Sequence, residues 1–235
     1  MSELAERLKQ RYFGSWVHPY ETFESEVQRV LRKDSVLLDA GCGRTAPVLR
    51  RYRDKASRLI GIDVVDSTGP IPGVEYFRRS LTNTELPSET VDVIMARSVM
   101  EHVDEPQTVY AEFARVLKPG GRLVFLTANL WDYASLIAAT IPNRFHGWIV
   151  AKTEGRAEED TFPVRYRTNT KRAIRRFAAG AGLQIDSLRY LGQYPNYFMF
   201  NGALFFVATG YEKLIASTPS LHWLRGWILC TLVKR

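Results

Sequence analysis

Short apolar runs and stretches of helical periodicity alternate through the first half of the chain. From Ser2 to Tyr12, the residues Leu4, Leu8, Arg11 and Tyr12 recur at helical spacing, and Glu21–Leu31 places Phe23, Val27, Val30 and Leu31 on one face. Val36–Leu38 is a continuous apolar run, as expected of a strand buried on both faces of a parallel sheet. The pattern then predicts a helix over Pro47–Asp54 and strands over Arg58–Asp63, Val74–Phe77 and Val91–Ala96. Glu105–Leu117 is amphipathic and opens on Pro106, an acceptable first-turn residue. Lys118-Pro119-Gly120-Gly121 ends that helix and turns the chain into a fifth strand, Arg122–Thr127. Such an alternation predicts right-handed crossovers and a mostly parallel sheet.

Beyond Thr127 the rhythm changes. Trp131, Tyr133, Leu136, Ile137 and Ile141 form an apolar helical pattern, broken at Pro142-Asn143-Arg144-Phe145-His146, and Glu154–Asp160 is a charged loop. Thr168 or Asn169 is expected to cap a helix over Lys171–Ala179. Leu183–Leu191 is a sixth strand and Trp227–Val233 a last one. Between them Tyr194–Tyr211 is apolar almost all round, interrupted by Asn201, Gly202 and Gly210. It is too short to span a bilayer. The expectation is a helix buried against the sheet, with a pocket wall or an interfacial helix lying on lipid as alternatives.

The chemistry concentrates where the first strand ends, at Asp39-Ala40-Gly41-Cys42-Gly43-Arg44-Thr45-Ala46. Gly41 and Gly43 let the backbone turn tightly and approach a ligand that a Cβ would obstruct. The same glycines satisfy the dinucleotide pattern G-x-G-x-x-G/A, so they do not name the ligand by themselves. Asp39 does more. A carboxylate two residues before the first glycine is unhelpful beside a pyrophosphate and suits a ligand with a cationic end.

Together with Leu59-Ile60-Gly61-Ile62-Asp63, the run Val91–Val103 and Leu117-Lys118-Pro119-Gly120-Gly121-Arg122-Leu123, this stretch resembles the class I S-adenosylmethionine-dependent methyltransferases, in their small-molecule, methyltransferase type 11-like branch. The resemblance runs from Val36 to Phe125, with Thr45 standing where the family has a third glycine. It implies an α/β fold: a Rossmann-like seven-stranded, mostly parallel sheet with helices on both faces, an antiparallel last strand, and helical insertions after strands five and six. It implies S-adenosyl-L-methionine as cofactor, with Asp39, Gly41, Cys42 and Gly43 around it and Asp63, followed by Val64, at the ribose hydroxyls. Where the family commonly carries an acid near the adenine, this chain offers Ser80 and Leu81. Arg97 is expected to hold the methionine amino group through its carbonyl. His102 is a candidate general base, because an imidazole titrates near neutral pH. Its alternative role is to pack and orient the Glu101-His102-Val103 turn, since methyl transfer to a reactive nucleophile needs no base. His146 and Tyr166, with Arg165 and Arg167, are the acceptor-side candidates, because the family builds its acceptor site after the fifth strand.

Composition narrows the setting. The chain has 235 residues, a net charge of +7 and only two cysteines, Cys42 and Cys230, so neither a disulfide framework nor a metal cluster is expected. No compact basic–aromatic module for nucleic acid is present. The N-terminus is unlike a secretory signal, and the expected location is cytoplasmic, with peripheral membrane contact as an extension. A single domain over 1–235 is expected, with a helical cap over 1–34, a cofactor-binding core over 35–128, and acceptor-site insertions over 129–170 and 194–225. The function expected is methylation, at oxygen, of a small or lipid-linked acceptor. Its rivals are a nucleotide-dependent oxidoreductase and a non-catalytic cofactor-binding or membrane-surface module.

Overall fold

The computed structural model describes residues 2–140 and 162–235. Seven strands form one sheet: β1 (Val36–Ala40), β2 (Arg58–Asp63), β3 (Glu75–Arg78), β4 (Val91–Arg97), β5 (Leu117–Ala128), β6 (Leu183–Leu191) and β7 (Trp227–Lys234), in the order β3-β2-β1-β4-β5-β7-β6. Strands β1 to β5 pair in parallel, and the sheet turns antiparallel at its β7 end. Strand β1 lies between β2 and β4, with Asp39 in register with Gly61 on one side and Met95 on the other. Leu37, Leu38, Ile60, Ile62, Ile94 and Phe125 are fully buried, which is why these strands read as continuous apolar runs.

The helices are α1 (Glu3–Phe13), α2 (Pro19–Val30), α3 (Pro106–Val116), α4 (Tyr133–Thr140), α5 (Lys171–Gly180) and α6 (Gly202–Ser217). Most element ends fall within a residue or two of the sequence reading, and three differences have physical reasons. The helix expected over Pro47–Asp54 is only a 3-10 turn, Leu49–Tyr52, because Ala46 takes a left-handed φ of 42° and delays the entry. Strand β5 begins at Leu117, because Leu117 pairs with Val91 across an irregularity that absorbs the glycine turn. The cap of α5 is Thr170, whose hydroxyl accepts from the Ala173 N–H at 3.1 Å, while Thr168 and Asn169 are buried.

Two compact units divide the chain. One gathers Tyr20–Thr127, Arg165–Arg189 and Leu229–Arg235 and carries most of the sheet. The other gathers Met1–Pro19, Ala128–Val164 and Tyr190–Ile228. In this helical unit α1 packs on α6 around Ala5, Met199 and Phe205, with Leu8, Phe13, Tyr194 and Phe198 at the edge. Asn201 caps α6 by accepting from the N–H groups of Ala203 and Leu204.

Candidate cofactor site

The site grows out of the tips of β1, β2 and β4. After β1 the N–H groups of Gly41 and Cys42 both donate to the Ile62 carbonyl, at 2.8 and 3.2 Å, folding the turn over the end of β2. Gly41 has φ 81°, and a Cβ there would run into the Val99 side chain. Gly43 has φ 69°, and nothing lies within 4 Å of where its Cβ would stand. One glycine is therefore demanded by close packing, while the other leaves an opening. Cys42 is buried against Gly61, and burial pushes its thiol well above the ordinary range, so it fills space and stays protonated.

Asp63 is knitted into this turn. Its Oδ2 accepts from the Gly43 N–H at 2.7 Å, and its Oδ1 from the Val64 and Val65 N–H groups at 2.7 and 3.3 Å. A carboxylate has about four lone-pair positions, so capacity remains for hydroxyl donors. The Val64 side chain is exposed, and its contribution is that N–H. Beyond β3 the Arg79 N–H donates to the Asp63 carbonyl at 2.8 Å, which brings Ser80 and Leu81 along. The Ser80 hydroxyl is engaged with Thr82 at 2.7 Å.

Asp39 lies inside, 4% exposed. Burial raises its pKa to about 7, nearby Asp63 pushes the same way, and Arg97 pulls against both. The Arg97 guanidinium stacks on the Tyr20 ring at 4.4 Å and lies 3.6 Å from Glu24, which also holds Arg51 at 2.7 Å. The Tyr20 hydroxyl in turn meets Ser98 Oγ at 3.3 Å. Ser98 carries φ 56°, a left-handed conformation uncommon outside glycine. Helix α2 is thus stapled to the tip of β4. Neither Tyr20 nor Glu24 was among the residues singled out from the sequence as candidates for this site.

A second knot follows β4. Glu101 is buried, and burial raises its pKa against the pull of His102 and a 2.7 Å hydrogen bond from Thr127 Oγ1. Asn169 Nδ2 donates to the same Thr127 hydroxyl at 2.8 Å. The Glu101 carbonyl accepts from the Arg165 and Tyr166 N–H groups at 2.7 and 3.1 Å, with Tyr166 at φ 52°. The backbones that carry His102 and Tyr166 are therefore joined at one turn. Arg167 and Arg165 pair with Asp104, at 2.8 and 3.8 Å. His18 packs edge-on against Trp16 within the helical unit, and His146 lies outside the described residues.

Residues 38–125 match the model of the methyltransferase domain family. Over that stretch the chain is similar to the class I S-adenosylmethionine-dependent methyltransferases. Among relatives of this chain, the ubiquinone biosynthesis O-methyltransferase of Hahella chejuensis is 32% identical over 130 residues, covering 48% of this chain and 54% of its own length. A ubiquinone/menaquinone biosynthesis C-methyltransferase of Campylobacter jejuni is 30% identical over 121 residues, covering 46% and 51%. The chain thus spans about half the length of these curated relatives. The fold is shared more widely. Geranyl diphosphate C-methyltransferase from Streptomyces coelicolor, solved with S-adenosyl-L-homocysteine, superposes with a TM-score of 0.60 over 92% of this chain and 81% of its own, at 17% identity.

The family's cofactor, S-adenosyl-L-methionine, fits the residues present. Two carboxylates crowd the tips of neighbouring strands, with Arg97 as the cation drawn on to relieve Asp39, and the space over Gly43 is open. A cationic ligand relieves the cost of burying Asp39 as a charge; an anionic pyrophosphate would raise it.

Proposed function

We propose that this chain transfers a methyl group from S-adenosyl-L-methionine to an oxygen of a small amphipathic or lipid-linked acceptor. The observation that carries the reading is the pair Asp39 and Asp63 around the Gly41–Gly43 turn. In it, Asp63 accepts hydrogen bonds from the two ribose hydroxyls while its Gly43 and Val64 N–H partners hold the carboxylate still. Asp39 faces the ammonium end, the Arg97 carbonyl assists there, and Ser80 and Leu81 border the base. The bound cofactor supplies an electrophilic methyl on a sulfonium.

The chain's own contribution is positioning and exclusion of water, which together account for much of the rate of a displacement of this kind. His102 and Tyr166, held on one turn through Glu101, are the groups assigned to orient the acceptor hydroxyl and receive its proton. Support for a lipid-linked acceptor comes from the relatives, which act in ubiquinone biosynthesis by name, one methylating oxygen and another carbon.

Incubation of the protein with methyl-labelled donor and fractionated cell extract tests this. Label in the organic phase is the expected result, with mass spectrometry of the labelled species placing the methyl on oxygen. Label confined to water-soluble compounds would replace the lipid-linked acceptor with a polar one. No label in any fraction, from protein that binds the donor, would favour a non-catalytic module.

A further inference from the structure

Helix α6 is built inside out. Its inward face carries Gly202, Phe205, Ala208, Thr209, Glu212 and Ile215, all buried. The outward face carries Leu204, Phe206, Val207 and Leu214, which are 45%, 56%, 70% and 57% exposed. Two polar side chains of the helix point into the unit: Thr209 satisfies its hydroxyl on the Phe205 carbonyl, and Glu212 is buried beside Gln193 and Asp132. Helix α5 shows the ordinary arrangement, burying Ile174, Phe177 and Ala178 and exposing Lys171, Arg172, Arg175 and Arg176. Single exposed apolar residues are commonplace, but a stripe along the whole outer face of one helix marks a surface that meets something other than water.

The surroundings say what. Phe200 extends the stripe before the helix, and Leu4 of α1 continues it where α1 packs on Gly202. Helix α1, which packs on α6, carries the cations Arg7, Lys9 and Arg11, and the exposed Lys213 of α6 donates to the Tyr12 carbonyl near the end of α1. Among the described residues of the helical unit, only Glu3 and Glu6 oppose them, because the other two carboxylates, Asp132 and Glu212, are buried. Tyr197 and Trp223, rings with a polar edge, are also exposed in this unit. A second copy docking through the same patch would bring like cations together, which disfavours self-association. An anionic bilayer face answers both the apolar stripe and the positive rim.

We propose that the outer face of α6, flanked by α1, lies on the surface of an anionic membrane. With 16 residues α6 is shorter than a span, and no described helix is long and apolar enough to cross a bilayer, so the contact is one of lying in the interface. This inference stands apart from the methyl-transfer reading and holds whether or not the acceptor is a lipid.

Co-sedimentation of the full chain with vesicles tests it, using phosphatidylcholine alone and phosphatidylcholine with about one-third phosphatidylglycerol. Binding to the mixed vesicles is expected, reduced severalfold at about 0.5 M salt. The double variant Phe206→Gln, Val207→Gln should lose about tenfold or more of that binding. Its melting temperature and its S-adenosylhomocysteine affinity should match the parent, since both side chains already face outward. If the double variant melts early, Leu214→Gln alone carries the same reading. The inference is overturned if the parent binds neither vesicle, or if the variants bind as well as the parent. Concentration-dependent dimers, abolished by the same substitutions without any vesicle binding, would assign the face to a second copy instead.

Discussion

Each compact unit of this chain holds a pair of carboxylic acids, and the two pairs are put to different uses. In the helical unit, burial raises Glu212 to about 8 and Asp132 to about 6. That pair is held by side-chain and helix-start donors, although Glu212 Oε1 is buried without a hydrogen-bond partner. The Gln193 amide donates to Asp132 Oδ1 at 3.0 Å and also supports Glu212, while Asp132 Oδ2 receives the Ala134 N–H at 3.0 Å at the start of α4. In the sheet unit Asp39 is buried as deeply and is raised to about 7, but Asp63 beside it is held by the backbone of a glycine turn with an opening over Gly43. Burial alone therefore does not identify a ligand site. The two pairs differ in the kind of donor: backbone N–H groups of a glycine turn hold Asp63 beside an opening, whereas a glutamine amide and the start of a helix hold Asp132.

The sharpest way to break this contrast is to remove Asp63. Asp63→Ala deletes the acceptor for the ribose hydroxyls and frees the Gly43 N–H that shapes the turn. Hydrogen bonds to a charged group contribute about 1.5–3 kcal/mol, so the affinity for S-adenosylhomocysteine should fall about 10- to 150-fold by calorimetry. 5′-Methylthioadenosine, which keeps the ribose and lacks the amino-acid end, should lose as much. A loss confined to S-adenosylhomocysteine would place Asp63 elsewhere on the ligand.

Asp39 comes next, and its signature is pH. With its pKa near 7 in the free protein, the carboxylate must shed a proton to meet a cation. Donor affinity should therefore rise by up to about tenfold per pH unit below 7 and level off above, with protons released on binding at pH 6. Asp39→Asn should flatten that profile, be about tenfold weaker at pH 8, and leave 5′-methylthioadenosine unaffected. Titrations in two buffers of different ionisation heat read the proton release directly.

Why these acids were legible in the sequence, and Glu212 was not, is a matter of how local the signal is. Asp39 and Asp63 each end an apolar run of period-free strand residues, and the glycines two and four places after Asp39 make a motif readable within a few positions, even though the contact that demands Gly41 is with the distant Val99. Arg97 was placed correctly at the tip of β4, but its side chain reaches Tyr20 and Glu24, more than 70 positions earlier, and no local pattern announces that. In the stretch Tyr194–Tyr211 both faces are apolar, so periodicity does not tell which one is covered. The structure covers the face that holds Thr209 and, a turn further on, Glu212. The sequence reading expects a helix buried against the sheet; the helix begins only at Gly202 and is covered on one side, by α1.

Glu212→Gln should leave donor affinity untouched and change stability instead. Its folded pKa, about 8, lies above the unfolded value of 4.5, so the protonated acid is the form that folding favours. The stability associated with it is fully present below about pH 4.5 and is lost as the pH rises through 8. A neutral amide escapes that loss. Thermal melts should show the variant a few degrees above the parent at pH 8.5, with the gap closing toward pH 5. A variant less stable at every pH would mean that Glu212 is held by packing and hydrogen bonds that the amide does not reproduce.

The smallest effect is expected from Arg97→Met, and it separates two roles of one side chain. In the free protein the guanidinium draws Asp39 down while burial and Asp63 push it up. Without that charge, the midpoint of the Asp39 profile should move above 7, weakening the donor about two- to fivefold at neutral pH and hardly at all at pH 9. The same substitution removes the 3.6 Å pair with Glu24 and the stacking on Tyr20, a part-buried staple worth about 1 kcal/mol or less. If Arg97 acts on Asp39 through charge, the loss follows pH and spares 5′-methylthioadenosine. If it acts by holding α2 against the tip of β4, both ligands weaken together at every pH. The two outcomes differ because an electrostatic partner is felt only by the ionised form of its neighbour, whereas a staple is felt by every ligand that needs the strand tip in place.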